Sequence, residues 1–157
     1  MGEAGPGAGQ ARGPRGWMVT TMRTYSNALE RLTEAGLRPT RQRLALAKLL
    51  LENGPRHLTA EELYHEAHDA GIPVSLATVY NTLHQFTSVG LLREVVVDMG
   101  QSYFDTNTTH HHHFFDEKTG QLTDIPEADV EIGRLPAPPS GSEIDRVEVI
   151  VRLRAAR

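Results

Sequence analysis

Cysteine is absent from this 157-residue chain. Disulfides and thiolate zinc sites are therefore excluded, and any metal ion must be held through nitrogen and oxygen. No apolar run approaches the roughly 20 residues that a membrane-spanning helix needs. Neither a His-Glu-X-X-His motif nor a candidate nucleophile occurs, so the chain is read as a non-enzyme. Strong net charge is missing too: 16 Lys and Arg face 20 Asp and Glu, a balance of −4. Residues 1–22 begin with a Gly-, Ala- and Pro-rich stretch and lack the apolar core of a signal peptide. They are expected to be a disordered tail on a cytoplasmic chain, with Met18 or Met22 as alternative starts.

What is present in excess is histidine, in one place. The stretch Asp105-Thr-Asn-Thr-Thr-His110-His111-His112-His113-Phe114-Phe115 carries four consecutive imidazoles. Imidazole is the usual nitrogen ligand for zinc, copper, iron and nickel, and short His-rich tracts read as metal-binding. A purification tag would sit at a chain end, whereas this tract lies between β-like segments. A solvated polar linker is the competing reading. If residues 109–115 form a strand, alternation sends His111 and His113 to one face and His110 and His112 to the other. One tract could then serve two sites, or one site and one packing face.

The charge is unevenly spread. Residues 19–92 hold seven Lys or Arg against seven Asp or Glu, and residues 93–157 hold seven against twelve. Arg38, Arg41, Arg43 and Lys48 crowd into one short stretch, a local basic edge that suits a phosphate backbone or, alternatively, an ordinary solvated helix face.

The first half has helical periodicity. Residues 25–35 keep Leu29 and Leu32 on one face and stop at Gly36. Thr40 can cap a second helix with Leu44, Ala47, Leu50 and Leu51 inward, ended by Asn53-Gly54. Thr59-Ala-Glu-Glu62 is a capping-box pattern opening a third helix with Leu63, Ala67 and Ala70 inward. After a turn at Gly71-Ile-Pro-Val, Ser75 caps a fourth helix running to about Ser88, with Leu76, Val79, Leu83 and Phe86 as its core stripe. The opposite face of that helix shows Thr78, Tyr80, Asn81, His84 and Gln85, hydrogen-bonding side chains with almost no charge. Neutral donors and acceptors on an exposed helix are what reading base edges in a major groove requires. Residues 91–97 and 101–105 around Asp98-Met-Gly100 supply a hairpin, making the whole a winged helix-turn-helix. A helical protein-interaction domain is the other reading.

These motifs together resemble the ferric uptake regulator (Fur) family: Thr40-Arg-Gln-Arg43, His57-Leu-Thr-Ala-Glu-Glu-Leu-Tyr64, Leu76-Ala-Thr-Val-Tyr80 and His110 to His113, over about residues 24–125. Within it, Tyr103-Phe-Asp-Thr-Asn-Thr, the His run with Phe114-Phe115, the missing cysteine and Leu135-Pro-Ala-Pro-Pro139 are similar to the iron response regulator (Irr) branch. The resemblance implies an α+β protein: a winged-helix DNA-binding domain at 23–105 and a small α/β dimerisation domain at 106–157. It implies a regulatory site of His57, Asp105, His111, His113 and Asp124, a set suited to iron, manganese or zinc. His110 and His112, joined by Glu131 or Glu127, resemble a second metal or haem site. No histidine follows His113 to complete it.

The implied partners are a second copy of the chain and palindromic double-stranded operator DNA, and no membrane. Arg38 is expected at a minor groove and Arg41 and Arg43 near phosphates. Ser75, Thr78, Tyr80 and Asn81 are expected at the reading surface. Beyond Pro126, residues 127–133 are long enough for about two helical turns. Residues 147–153 read as a half-buried strand with Val147, Val149, Val151 and Leu153 on one side and Glu148 and Arg152 on the other. So short a C-terminal portion cannot bury a self-sufficient core, which makes pairing with a second copy the physical expectation. The alternative to a regulator is a winged-helix protein whose His tract only buffers metal.

Overall fold

The computed structural model describes residues 27–51 and 54–156. The expected tail and the first two residues of the expected first helix, Tyr25 and Ser26, lie outside them, as does Asn53. Helices come first: α1 over 27–34, α2 over Arg41–Leu51, α3 over Ala60–Asp69 and α4 over Leu76–Ser88. A two-residue strand β1, His57–Leu58, precedes α3, and a hairpin of β2, Arg93–Asp98, and β3, Gln101–Asp105, follows α4. These strands form one antiparallel sheet in the order β1-β3-β2. Then come β4, His111–Asp116, and β5, Gln121–Pro126, and finally β6, Ile150–Leu153. The second sheet has the order β5-β4-β6, with β5 antiparallel and β6 parallel to β4.

The local signals act as the residues suggest. Thr59 and Glu62 form a reciprocal capping box, and Ser75 accepts from the Thr78 N–H, so orphan amides at both helix starts are satisfied. Gly36 closes α1 at φ 76° and Gly100 turns the β2–β3 hairpin at φ 86°, both left-handed positions that a side chain would strain. The turn between α3 and α4 brings them together around Leu63, Ala67, Val79, Leu83 and Phe86. Burying each of the Val, Leu and Phe side chains contributes about 1.5–3 kcal/mol.

Alternation then places the first sheet between two cores. Phe104 of β3 joins the helical cluster, whereas its neighbour Tyr103 joins Val95, Val97, Phe115 and Leu122 in a second cluster shared with the second sheet. The Tyr103 hydroxyl also donates to the Gly120 carbonyl at 2.7 Å. The site described below sits where the two sheets meet.

Several expected faces are corrected. In α1 the buried pair is Ala28 and Leu32, one turn apart, and Leu29 is 43 % exposed. In α2 Leu46 is fully buried, while Leu44 and Leu51 are only half-buried. Ala70 caps α3 and is exposed. Leu76, the first residue of α4, stands beyond the packed length of the helix and is exposed, and Thr82 takes the buried place. Residues 127–133 form only a three-residue 3-10 turn, Glu127–Asp129, without a side-chain cap. Seven residues are too few to repay helix nucleation.

The C-terminal strand is shorter than expected and faces the other way. Ile150 is opposite His113 and Arg152 opposite Phe115 in the parallel pairing, so Ile150 and Arg152 share the inner face. The Arg152 guanidinium lies 5.7 Å above the Phe115 ring, while Val151 and Leu153 point outward. Strand alternation fixes two faces but not which of them meets the core.

Candidate metal centre between the two sheets

Two strand registers build the site. In the first sheet His57 of β1 lies opposite Asp105, the last residue of β3. In the second, His113 of β4 lies opposite Asp124 of β5, and His111 follows on the same face two residues earlier. The five side chains His57, Asp105, His111, His113 and Asp124 each offer one ligand atom within 4.8 Å of all the others. Among the described residues this is the only such group of three or more.

The spacing is that of a coordination shell. His57 Nε2 is 2.7 Å from Asp124 Oδ1 and 3.4 Å from Asp105 Oδ2. His111 Nε2 lies 2.8 Å from Asp105 Oδ2 and 3.0 Å from His113 Nε2, which is itself 3.2 Å from Asp105 Oδ2. Asp124 Oδ1 is 3.4 Å from His111 Nε2 and 3.7 Å from His113 Nε2. Ligand atoms about 2.1 Å from a common ion would stand about 3.0 Å apart at right angles and about 4.2 Å apart in line.

Hydrogen bonding within the protein leaves these atoms underused. His111 Nδ1 is 2.7 Å from the Thr109 carbonyl, an oxygen that can only accept. The Nδ1 of His111 therefore carries the proton, and in the neutral ring Nε2 presents a lone pair toward the carboxylates. His57 Nε2 and Asp124 Oδ1 are close but not aligned, and both are buried without a hydrogen-bond partner. Three ring nitrogens and two carboxylate oxygens facing one point form an acceptor-rich cage, which a divalent cation satisfies and a neutral apolar core would not.

The electrostatics agree. Burial works to lower the His57 pKa, but the Asp105 and then the Asp124 carboxylates outweigh it and hold the pKa above the ordinary imidazole value. Burial would also push the Asp105 carboxyl up. Its contacts with His113 and His57 and the Asn107 backbone N–H prevail and hold it well below the usual carboxylate range.

The remaining members of the His tract part company. His112 is 2 % exposed, and its Nδ1 accepts from the Val149 N–H at 3.2 Å, so it packs rather than chelates. His110 precedes the strand and is exposed, as is Glu131. His110, His112 and Glu131 are not brought together as a ligand group, because β4 begins only at His111 and residues 130–149 run as an irregular chain. A solvated linker does not describe the tract: His111, His112 and His113 are all buried in β4.

Of the residues expected at DNA, Arg38, Arg41, Ser75 and Asn81 are exposed, and Arg43, Thr78 and Tyr80 half-buried. Ser75 Oγ stands 2.9 Å from Thr78 Oγ1, and Tyr80 donates to Glu61 at 2.7 Å. Arg43 is committed within the fold. Its Nε and Nη2 donate to Gln85 Oε1 at 3.2 and 2.9 Å, and its Nη1 to the Arg38 carbonyl at 2.9 Å. Sequence reasoning also missed Asn107, Arg93 and Glu148. Buried Arg93 of β2 donates to the Thr109 carbonyl at 2.8 Å and pairs with Glu148, joining the first sheet to the chain before β6. The only signal for Asn107 was its place two residues after Asp105, where such a side chain readily bonds local backbone.

A helical half in which α3 and α4 are joined by a short turn, a second sheet, and a His/Asp cluster where the two sheets meet define a two-part protein with one candidate cation site among the described residues. Residues 34–145 match the model of the Ferric uptake regulator family, and the chain belongs to that family. It is 38% identical over 79 residues to the ferric uptake regulation protein of Vibrio anguillarum, covering 50% of this chain and 53% of that one. It is 35% identical over 94 residues to the peroxide-responsive repressor PerR of Staphylococcus epidermidis, covering 60% and 62%. The chain thus spans about half the length of the curated relatives it matches first. The fold resembles the ferric uptake regulator of Pseudomonas aeruginosa with manganese, at TM-score 0.65, 29% identity and coverage of 83% and 98%. It also resembles a zinc-bound manganese uptake regulator, at TM-score 0.57, 28% identity and coverage of 80% and 96%.

Proposed function

We propose that this chain is a metal-responsive transcription regulator acting as a homodimer on palindromic operator DNA. Residues 23–105 form its winged-helix reading head and 106–157 its dimerisation part. The observation that carries the reading is the cage, since two of its ligands come from the first sheet and three from the second. A divalent ion of the iron, manganese or zinc kind supplies there the positive charge that five converging acceptors call for. Manganese in the similar P. aeruginosa structure and zinc in the similar manganese uptake regulator support that class of ion. His57 and Asp105 hold the cage on the reading-head side; His111, His113 and Asp124 hold it on the other. Drawing the two sets together fixes how the helices sit relative to the second sheet, and in a dimer that sets the separation of two α4 helices.

On this reading the polar face of α4, with exposed Asn81 and half-buried Thr78 and Tyr80, meets base edges, while Arg38 and Arg41 lie at the backbone. Pairing of two copies is supported by the outer face of the second sheet. There Phe114 of β4 lies opposite Val151 of edge strand β6, and with Leu153 of β6 these residues are 36–40 % exposed. A buried His tract inside a sheet favours a switch over a buffering tail. The further likeness to the Irr branch extends the reading to haem. His110, exposed in a groove with Arg93 and Arg146, is the member of the tract with a ring free to serve as an axial ligand.

The test is metal dependence of DNA binding. DNA selected from a random pool by the manganese-loaded protein should lose at least about tenfold in affinity on chelation. His57→Ala should bind that DNA with no dependence on manganese. Equal affinity of the parent with and without the ion would reduce the site to a buffer and refute the regulator.

A further inference from the structure

The five side chains of the cage are not equally held. Asp105 is fully buried, His113 and His111 nearly so, and His57 is 15 % exposed, whereas the Asp124 side chain is 35 % exposed. Burial restricts the first four, but a carboxylate one-third open to solvent keeps its rotamer freedom unless something binds it. Asn107 does so. Its Nδ2 donates to Asp124 Oδ2 at 3.1 Å, leaving Oδ1 turned toward His57 and His111.

The same residue reaches two other ligands. Its backbone N–H donates to Asp105 Oδ1 at 2.8 Å. Its Oδ1 accepts from Thr109 N–H at 3.1 Å and from Thr109 Oγ1 at 2.6 Å, and the Thr109 carbonyl is what fixes the His111 tautomer. Asn107 stands in the segment 106–110 between the two sheets, so its side chain ties that crossing to β5. No other residue type reproduces the set at this length. Asp lacks the donor for Asp124, and Ser is too short to span it.

We propose that Asn107 is the positioning residue of the cage, acting chiefly through Asp124. The inference rests on the metal-site reading above. It assigns to the segment between the sheets a share in metal affinity that the five ligands alone do not explain, since outer hydrogen bonds to a ligand commonly change affinity by about 10- to 100-fold.

The test uses the full chain, with Mn(II) affinity measured by calorimetry and the ligand field by the visible spectrum of the Co(II) form. Asn107→Ala should weaken Mn(II) about 10- to 100-fold and change the Co(II) spectrum, with one ion per chain retained. In an Asp124→Ala background the same substitution should change affinity less than about threefold, because the group it acts through is gone. Thermal unfolding in chelator guards against a folding defect, and Asn107→Asp, which keeps the Thr109 bonds but not the Asp124 bond, should behave like Asn107→Ala. A parent that binds no stoichiometric Mn(II) or Co(II) overturns the metal-site reading itself. A parent that binds one ion while Asn107→Ala matches it in affinity and spectrum overturns the positioning role alone, and so does an equal loss in both backgrounds.

Discussion

Protons and a metal ion compete for the same atoms in the cage, so loading the site should reverse the pH dependence of stability. In the metal-free protein the raised His57 pKa means that its contribution is fully present below the unfolded value near 6.5 and is lost as pH rises through the higher folded value. The lowered Asp105 pKa acts elsewhere: its contribution is present above the unfolded value near 3.8 and is lost only as pH falls below it. As pH rises from about 6.5 through the raised folded value, therefore, metal-free stability should fall through His57 with no offset from Asp105. A bound ion requires unprotonated imidazoles, so its increment grows over that same range. At 100 times the dissociation constant the increment is about 2.7 kcal/mol, which for a chain of this size raises the melting temperature by roughly 5–11 °C. Below the imidazole pKa each displaced proton makes it steeper by about 1.4 kcal/mol per pH unit. Calorimetric melting in chelator and in excess Mn(II), at about pH 6, 7 and 8.5, measures both slopes. A metal increment of the same size at the two extremes, or a metal-free melting temperature that climbs with pH, would refute the competition and with it the cage.

Arg43→Ala should lower stability by about 1 kcal/mol through the lost Gln85 and Arg38 bonds, seen in urea unfolding, and leave the salt dependence of DNA binding unchanged. Arg38→Ala and Arg41→Ala should instead reduce the salt slope by about 1 each while leaving sequence preference alone. Tyr80→Ala should lose about 1–3 kcal/mol of preference for selected over random DNA in competition binding. Val151→Arg places charge on the exposed outer face of β6 and should shift the protein from dimer to monomer in sedimentation, with metal stoichiometry per chain unchanged.

The elements most legible in the sequence are those whose signal is local. The Thr59-x-x-Glu62 box, the Ser75 cap and the glycine at 100 each needed only neighbours within a few residues, and each stands where it was expected. The alternation of His111 and His113 was equally local, and it holds because β4 includes both. What failed needed a partner. The inward face of β6 is set by parallel pairing with β4 across a long irregular segment, and an alternating Val pattern is symmetrical to that choice. Leu29, Ala70 and Leu76 failed for a related reason: periodicity marks a stripe but not where the neighbouring helix stops covering it. The roles of Asn107 and Arg93 were not legible because they arise from contacts 17 and 16 residues away.

The cage is not the only tie between the two sheets, and that shapes what it can control. Val95, Val97 and Tyr103 already pack on Phe115 and Leu122, Arg93 reaches Glu148, and Arg152 donates to the Val97 carbonyl and lies near Asp98. The β2–β3 hairpin is thus held to the second sheet by groups outside the ligand set. His57 differs from the other four ligands in standing on β1, a strand of two residues fixed by pairing with the end of β3. It lies two residues before the Thr59 cap of α3. The first turn of α3 carries Glu61, which holds the Tyr80 hydroxyl of α4. In the proposed function, a change at His57 therefore meets a strand of only two residues and reaches the reading helix through the start of α3 and the Glu61–Tyr80 hydrogen bond. Rearranging β1 and the start of α3 disturbs the pairing with β3 but leaves the hairpin's packing on the second sheet intact, whereas swinging the whole helical half would have to break a buried apolar cluster and two arginine clamps.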